Sequence, residues 1–427
     1  MKKIIWGCAI LALTLFSVGC NKDKRPVVRV ATFLGDPALI KIMNRIIANI
    51  EKENPDFKIK LDLISYNDYQ NKITTELVGG NPPDVMFTEV GNFVDLYLRG
   101  AFEDLLPYMK RDGIDIKAYY PDVLGRFTRD GHILVMPQDT APSGLVYYNK
   151  KFFRDAGVPY PTGKWKWPEP FLSICKKLVR RDKNGKIIQW AFSEEYPISL
   201  DNFMYSNGGS YVDNVDHPTR FTMDTPQAIQ AAQFRWDLVY KYHVSPTRSE
   251  VQSFGFNGST QSMFMNGQIA MMTSGIWDTP TFLEKEGLEF DVAEFPMNSA
   301  GKKGWSTGGS GFAICKASKN KELAWRTVKI LASADSLSQM ALTGFIQPAL
   351  KYLTKTDAFL KSPGPAHKTI LLEMPKYSHY SPFMSNWTEI NNVYGSAMDP
   401  VWLGEKNPTE ALPGITKTIN EKFFDKK

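Results

Sequence analysis

Three tryptophans stand in polar, glycine-rich surroundings, where an aromatic face can meet a ligand. Trp277 follows the small pair Ser274-Gly275, Trp305 precedes the run Gly308-Gly309-Ser310-Gly311, and Trp387 begins a predicted polar helix. Aromatic rings stack on the apolar faces of ring-shaped ligands, and a glycine-rich backbone lets a ligand approach closely. The alternative for each tryptophan is packing over a neighbouring core.

Acidic side chains at the ends of predicted strands supply a complementary chemistry. Asp36 ends the first strand, Glu89 ends the third, and Asp139 follows Met136-Pro137-Gln138. A carboxylate accepts hydrogen bonds from several hydroxyl groups, although Asp at such positions also caps helices and forms turns. Together the candidate ligand contacts are Asp36, Glu89, Asp139, Asp201, Asn202, Tyr205, Trp277, Trp305, Gly309 and Trp387.

Alternating hydrophobic patterns predict the elements that must hold these side chains. Residues 27–33, 57–63 and 83–87 have the composition of strands, and residues 39–50 and 69–77 read as helices. This alternation predicts an α/β fold with a parallel sheet between helices. Ligands of such sheets bind at the carboxyl ends of the strands, where the candidate carboxylates are expected.

The N-terminus has the layout of an export signal. Basic residues precede an apolar run over residues 4–16, and small residues follow, which predicts a signal peptide over residues 1–19. Ser17-Val18-Gly19-Cys20 resembles a bacterial lipobox, with Ser where that pattern prefers Leu. Cys20 is therefore the expected lipidation site, and residues 20–26 the tether of an exported chain facing the periplasm or the cell exterior. An ordinary secreted protein with an incidental cysteine is the alternative.

Composition narrows the class of protein further. The 427 residues are 43% hydrophobic and 22% charged, which is ordinary for a globular chain long enough for two domains. The formal charge of +6 is scattered along the sequence, so nucleic-acid binding is not expected. The histidines have no metal-ligand spacing, and we predict neither a metal nor a cofactor. Cys175 and Cys315 are expected to be free thiols in different domains.

Several sequence motifs occur along residues 27–427 in an order that is characteristic of one protein family, although each motif alone is weak evidence. They are Asn81-Pro82-Pro83-Asp84-Val85, Val146-Tyr147-Tyr148-Asn149-Lys150-Lys151-Phe152-Phe153 with Ala156-Gly157, Asn207-Gly208-Gly209, and Gly267-Gln268-Ile269-Ala270-Met271-Met272 leading to Trp277. In this order the chain resembles the extracellular solute-binding proteins of the carbohydrate-specific class, and it is similar to the maltose-binding proteins in architecture.

The resemblance implies two α/β lobes, each a mainly parallel sheet flanked by helices, joined by a hinge that the chain crosses more than once. The predicted division places the first lobe at residues 27–138 and 308–343, the second at 144–297 and 348–427, and the crossings at 139–143, 298–307 and 344–347. The family pattern also places sugar-facing aromatic side chains at the positions of Trp277 and Trp387, and a hydroxyl-binding acid at Asp139.

The implied function is that of a non-enzymatic, monomeric receptor of an ABC-type importer. It would close over a carbohydrate, an oligosaccharide, and deliver it to the transmembrane subunits of a permease. One alternative is a binder of glycerol phosphate or another polyol, although phosphate requires a cluster of Arg or Lys that the candidate loops lack. A surface-anchored glycoside hydrolase is the other, because such enzymes also use paired carboxylates near aromatic side chains.

Overall fold

Strands and helices alternate throughout residues 24–33, 35, 37–194, 200–254 and 259–425, which are the residues that the structure, a computed structural model, describes. The predicted signal peptide, Cys20 and Asp36 lie outside these ranges. The strands are β1 Val27–Thr32, β2 Lys58–Leu63, β3 Val85–Glu89, β4 Thr128–Arg129, β5 His132–Ile133, β6 Met136–Pro137, β7 Leu145–Asn149, β8 Arg180–Arg181, β9 Ile187–Glu194, β10 Ile269–Ser274, β11 Phe290–Glu294, β12 Trp305–Ser306, β13 Ser310–Ile314 and β14 Ser378–His379. The α-helices are α1 Pro37–Glu53, α2 Tyr66–Val78, α3 Val90–Leu98, α4 Leu106–Arg111, α5 Pro121–Arg126, α6 Lys150–Asp155, α7 Phe171–Leu178, α8 Asp201–Ser206, α9 Pro226–Tyr240, α10 Arg248–Ser253, α11 Thr260–Met265, α12 Thr279–Leu283, α13 Lys321–Leu331, α14 Ala334–Ala341, α15 Asp357–Leu360, α16 Trp387–Trp402 and α17 Pro408–Phe423.

The first five predicted elements are confirmed. β1, β2 and β3 occupy the predicted strand positions, and α1 and α2 the predicted helical ones. Leu39, Met43 and Ile50 of α1 are buried, because helical spacing places them on one face of the helix. α2 begins after Ser65, whose side chain accepts a hydrogen bond from the backbone N–H of Asp68.

The first sheet has the strand order β2-β1-β3-β13-β6. β1 pairs in parallel with β2 and β3, whereas β13 pairs antiparallel with β3 and β6. One apolar cluster at this sheet includes Phe57 and Trp325, and another includes Tyr69 and Phe93. The sheet, its helices and these two clusters form the first lobe.

The second sheet has the strand order β11-β7-β10-β9-β8 and a single large apolar core. β9 and β10 pair in parallel, but β7 pairs antiparallel with β10 and β11, and β8 antiparallel with β9. This arrangement corrects the prediction of a mainly parallel sheet in each lobe. β7 begins where the chain arrives from the first lobe, so it runs away from the space between the lobes, whereas β9 and β10 end there. β13 begins where the chain re-enters the first lobe, and it is therefore antiparallel to β3 and β6.

Three chain segments lie side by side between the two lobes. Asp139 pairs with Pro348, and Pro142 with Thr307, in isolated antiparallel bridges. The backbone N–H of Thr140 also donates a hydrogen bond of 3.2 Å to the backbone oxygen of residue 347. These paired positions fall within or beside the predicted crossings. A hinge made of these three segments, and the lobe boundaries around it, stay a prediction.

The residues that follow the third segment pack on the first lobe. Ala349, Leu350 and Leu353 belong to one of its apolar clusters, and Leu350 pairs with Tyr119. Phe359, in contrast, belongs to the core of the second lobe. Leu350 and Leu353 thus pack with the first lobe and Phe359 with the second, inside the stretch from residue 348 onward that the predicted division assigns to the second lobe.

The two cysteines of the described chain and the turn at Asp182 have defined places in the fold. Cys175 is a buried free thiol in the core of the second lobe, and Cys315 is a buried free thiol in the first. Asp182 lies in the tight turn between β8 and β9, where its carboxylate accepts hydrogen bonds from the backbone N–H groups of Asn184 and Lys186. Across the described ranges, no helix has both the length and the apolar character needed to cross a membrane.

Candidate functional site

A cavity of about 520 Å³ lies between the two lobes and is lined from both. Its volume falls within the range of about 300–1,000 Å³ that is usual for small-molecule sites. The strands that end at the cavity bring side chains to it, as the α/β pattern predicts. The predicted contacts that line this cavity are Glu89, Asp139, Asp201, Asn202, Trp277 and Gly309. Tyr205 and Trp387 line a smaller adjoining cavity of about 100 Å³, to which Asp201 also contributes.

Trp277 is positioned by the end of β10 and a short 3-10 turn, Ile276–Asp278. Ile276 and Asp278 are buried on either side of it and hold the turn in place. Gly275 provides the space for the indole ring, because a Cβ atom at this position would lie 1.9 Å from the Cζ3 atom of Trp277. This position of the ring therefore requires a glycine at residue 275.

An aromatic wall on the first lobe also lines the cavity. It consists of Phe33, which follows β1, Phe87 in β3 and Tyr66 at the start of α2. The ring of Phe33 lies 5.3 Å from that of Tyr66, edge to face, and 5.0 Å from that of Phe87. The sequence patterns did not indicate these residues as ligand contacts. Phe33 and Phe87 read as ordinary strand residues, and only their place at the carboxyl ends of the strands could have indicated them.

Glu89 ends β3 and serves as the N-cap of α3, in a capping box with Asn92. Its Oε1 atom accepts a hydrogen bond of 2.9 Å from the hydroxyl group of Tyr66, which ties the carboxylate to the aromatic wall. Burial raises the pKa of Glu89, and the nearby negative charge of Asp139 raises it further. Glu89 thus combines the predicted cavity position with the alternative role of helix capping.

Asp139 is buried and holds two segments of the protein together. Its Oδ1 atom accepts a hydrogen bond of 3.0 Å from the backbone N–H of Ser310, and Oδ2 accepts one of 2.7 Å from the hydroxyl group of Ser310. The side chain of Gln138 donates to the same Oδ2 atom at 3.3 Å. Burial raises the pKa of Asp139 to about 6. Both carboxylate oxygens are therefore already engaged at the edge of the cavity.

Asp201 and Asn202 begin α8 on the second lobe. The Oδ1 atom of Asp201 accepts a hydrogen bond of 2.6 Å from the hydroxyl group of Tyr211, and burial raises the pKa of this carboxyl. The Nδ2 atom of Asn202 donates to the backbone oxygen of Ser143 at 3.1 Å, and its Oδ1 atom accepts from the backbone N–H of Ser306, also at 3.1 Å. Asn202 thereby links two of the chain segments between the lobes.

Glu194 is a further carboxylate of the cavity, absent from the candidates predicted from the sequence. It ends β9, is buried, and accepts a hydrogen bond of 3.1 Å from the Nε atom of Arg235. Burial raises its pKa to about 8, despite the opposing charge of Arg235. Its place at the carboxyl end of a strand is the same signal that indicates Glu89, but the sequence patterns above do not predict β9 as a strand.

Trp305 does not line either cavity, and the prediction of a ligand-facing ring at this position is wrong. The side chain is fully buried in the second lobe, and its Nε1 atom donates a hydrogen bond of 3.1 Å to the backbone oxygen of Met374. Gly144 presents a flat surface to the ring, since a Cβ atom there would lie 2.5 Å from the Cγ atom of Trp305. The glycine-rich surroundings of Trp305 therefore serve close packing.

Tyr205 and Trp387 lie at the smaller cavity. The ring of Tyr205 stacks on that of His379 at 4.3 Å with an angle of 5° between the planes, and Trp387 contacts Tyr211 edge to face at 5.7 Å. Burial lowers the pKa of His379. Both predicted residues are thus at the site, but beside the main cavity, where they support Asp201 and its partner Tyr211.

The Asp and Glu residues of the main cavity have no basic counterpart in the described lining. The lining includes four carboxylates, Glu89, Asp139, Glu194 and Asp201, and no Lys, Arg or His from the described residues. The described residues of the chain contain no group of three or more His, Cys, Asp or Glu that could hold a metal ion. The site is therefore built from aromatic faces, hydrogen-bonding side chains and carboxylates.

Two α/β lobes around a cavity that both of them line define a protein that captures a ligand between domains. The family of bacterial extracellular solute-binding proteins matches residues 36–337, and the chain belongs to it. The fold agrees, because an ABC substrate-binding protein of Listeria monocytogenes, solved in complex with cycloalternan, superposes with a TM-score of 0.79 at 24% identity, over 94% of this chain and 99% of that one.

Two curated relatives show the range of ligands among similar proteins. The arabinooligosaccharide-binding protein of Halalkalibacterium halodurans is 26% identical over 69% of this chain and 64% of its own length. The sn-glycerol-3-phosphate-binding periplasmic protein of Pectobacterium atrosepticum is 23% identical over 89% of this chain and 87% of its own length. These relatives bind chemically different ligands, so the ligand must be argued from the site.

Proposed function

We propose that this chain is the substrate-binding subunit of an ABC-type importer and that its ligand is a neutral carbohydrate, an oligosaccharide. The observation that carries the proposal is the composition of the cavity lining. Aromatic side chains face the cavity from both lobes, carboxylates stand between them, and no basic side chain of the described residues joins them. The relative that binds arabinooligosaccharides supports the same class of ligand.

The aromatic side chains match the apolar faces of sugar rings. Trp277 would stack from the second lobe, while Phe33 and Tyr66 would contact the opposite side of the ligand from the first. Glu89, Glu194 and the Asp201 carboxyl would accept hydrogen bonds from hydroxyl groups. Because each lobe supplies only some of these contacts, the ligand is held fully when the lobes close on it.

The absence of Lys, Arg and His from the described part of the cavity lining argues against glycerol phosphate as the ligand. A phosphate group is bound by several Arg or Lys side chains or by backbone N–H groups at a helix N-terminus. The internal segments outside the described residues, at positions 34, 36, 195–199 and 255–258, also contain no Lys, Arg or His in their sequence. An anionic ligand would therefore meet carboxylates without a basic side chain from the cavity lining to compensate them.

The proposed role is binding without catalysis. Glycoside hydrolases divide the work between a proton-donating acid and a second, free carboxylate. Asp139 is occupied by Ser310 and Gln138, and Glu194 by Arg235. Steady release of reducing ends from an oligosaccharide by the purified protein would contradict this part of the proposal.

The mechanism that we propose is closure of the two lobes about the three neighbouring chain segments. The open and closed arrangements of such a receptor must differ by only a few kcal/mol, so that ligand contacts from both lobes can shift the population. The closed form would then be the one that the permease recognises. The protein would act as an exported monomer, held at the membrane by a lipid on Cys20.

Thermal unfolding with a panel of ligands tests this function. The panel consists of arabinotriose, maltotriose and glycerol 3-phosphate, each added to the mature protein. A ligand that binds only the folded protein stabilises it by about 2.7 kcal/mol at a hundred times its Kd. We expect a raised melting temperature with a neutral oligosaccharide and no change with glycerol 3-phosphate. The reverse pattern would favour the polyol-phosphate alternative.

A further inference from the structure

A hydrogen bond joins Tyr66 and Glu89 across the cavity side of the first sheet. Tyr66 begins α2 shortly after β2, and Glu89 ends β3. Because β2 and β3 lie on either side of β1, the bond of 2.9 Å from the Tyr66 hydroxyl group to Oε1 of Glu89 spans the end of β1. Phe33 follows β1 at this point, and its ring contacts that of Tyr66 edge to face. The bond thus connects the aromatic wall to a carboxylate.

Both partners of this hydrogen bond remain accessible. Tyr66 keeps 55% of its surface exposed although it lines the main cavity. Glu89 lines the same cavity and is also partly exposed. Gly91, a third lining residue, leaves the space beside the carboxylate open, because a Cβ atom at this position would lie 3.3 Å from Oε1 of Glu89. A hydroxyl group of a ligand can therefore approach the Glu89 carboxylate.

The other carboxylates of the cavity put this pair in context. Asp139 and Glu194 are buried. Asp201 is partly exposed, like Glu89, and its Oδ1 atom accepts a hydrogen bond of 2.6 Å from the hydroxyl group of Tyr211. On each lobe, a tyrosine hydroxyl group therefore holds the carboxylate that a ligand can approach more easily.

We propose that Tyr66 is a positioning residue whose hydroxyl group holds the Glu89 carboxylate in place to accept a hydrogen bond from a ligand hydroxyl group. This inference rests on the carbohydrate function proposed above. A carboxylate can accept several hydrogen bonds, so the bond from Tyr66 leaves capacity for the ligand. A side chain that is already held loses less conformational freedom on binding. Tyr66 thus supports affinity through Glu89, in addition to the contact that its ring makes.

The same hydrogen bond affects the ionisation of Glu89. Burial raises the pKa of Glu89, the bond from Tyr66 lowers it, and the negative charge of Asp139 raises it. Tyr69 of α2 also faces Glu89, and it stays neutral because burial raises its own pKa. A charged carboxylate accepts hydrogen bonds more strongly than a neutral one. Without the Tyr66 hydroxyl group, the loss of ligand affinity on acidification should therefore begin at a higher pH.

Tyr66→Phe tests the inference, because it keeps the ring and removes only the hydroxyl group. At about pH 8, we expect the Kd for the oligosaccharide of the panel that binds the wild-type protein to rise about three- to ten-fold. On acidification to about pH 5, the Kd of the variant should begin to rise at a higher pH than that of the wild-type protein. Titration calorimetry at stepped pH measures both effects. Asp139 titrates in both proteins, so the difference between the two profiles reports on Glu89.

Tyr97→Phe is the matched control. The hydroxyl group of Tyr97 donates a hydrogen bond of 2.7 Å to the carboxylate of Asp130, also in the first lobe, but neither residue lines a cavity described above. This variant should keep the Kd within about two-fold of the wild-type value and leave its pH profile unchanged. An equal rise of the Kd in both variants would overturn the specific role of Tyr66.

Glu89→Ser separates an action through Glu89 from a direct contact with the ligand. Serine is a favoured N-cap residue, so the start of α3 keeps its cap while the carboxylate is removed. In this background, Tyr66→Phe should change the Kd by less than about two-fold, because no carboxylate is left to position. An equal effect of Tyr66→Phe in both backgrounds would mean that the hydroxyl group acts on the ligand directly, and the inference would be wrong.

Each remaining outcome has a definite meaning. If Tyr66→Phe binds the sugar as tightly as the wild-type protein, or more tightly, the inference fails while the proposed function stands. If the wild-type protein binds neither arabinotriose nor maltotriose, the carbohydrate function fails and the inference fails with it. Should Glu89→Ser not fold, the pH profile decides: a raised Kd in Tyr66→Phe with the pH profile of the wild-type protein would refute an action through Glu89.

Discussion

Gly275→Ala tests the role of Trp277 without touching the tryptophan itself. The backbone of Gly275 has φ −108° and ψ −178°, an extended conformation that alanine adopts without strain. The new Cβ atom would lie 1.9 Å from Cζ3 of Trp277 and 2.3 Å from Cε3 and Cη2. Because ordinary contacts begin near 3.4 Å, the ring must withdraw by roughly 1.5 Å.

The expected effect on binding follows from that displacement. An aromatic contact of this kind contributes about 1–2 kcal/mol, and a shift of more than 1 Å removes much of it. The Kd for the bound oligosaccharide should therefore rise by about 5- to 30-fold. Titration calorimetry gives the Kd, and the circular dichroism spectrum shows whether the variant is folded.

Two variants complete the experiment. Gly414→Ala is the control, because it lies on the exposed side of α17 with no atom within 4 Å of an added Cβ, and it should bind like the wild-type protein. Trp277→Ala should raise the Kd at least as much as Gly275→Ala does. The double variant should have the same Kd as Trp277→Ala alone, because both changes act through one ring. A folded Gly275→Ala variant with wild-type affinity would refute the stacking role.

Three further predictions concern other parts of the chain. Cys20→Ser should move the protein from the membrane fraction to the soluble one, and unchanged membrane partition would contradict lipidation. Trp305→Ala should lower the free energy of unfolding in urea by about 3–5 kcal/mol because it empties a core position, and a loss of affinity without destabilisation would restore its predicted ligand role. Asp139→Asn should flatten the pH dependence of the free energy of unfolding. The pKa of Asp139 is about 6 in the folded protein and about 3.9 in the unfolded chain. The folded protein therefore binds the proton more readily and becomes more stable as the pH falls from about 6 to about 4. Urea unfolding at stepped pH measures this, and an equal slope in both proteins would contradict it.

Local patterns in the sequence predicted the parts of the fold that depend on short-range order. The apolar face of α1 and the three strands β1 to β3 are visible because their spacing repeats within a few residues. The direction of β7 could not be predicted in this way, because it depends on where the chain enters the second lobe. The mainly parallel sheet expected there failed for that reason.

The same distinction between local and long-range order applies to the residues of the candidate site. Glu89 was predictable from its place at the end of a strand, and Trp277 from small neighbours together with the family pattern. Trp305 has the same kind of local sequence, but its burial depends on Gly144 and Met374, which are distant in the chain.

A crystal structure of the mature protein with the oligosaccharide that stabilises it most is the direct test of the central claim. The account predicts a sugar between the lobes, with one ring stacked on Trp277 and the aromatic wall of Phe33, Phe87 and Tyr66 on the opposite side. A sugar bound outside this cavity, or an anionic ligand in it whose charge is met by a basic side chain, would contradict the account.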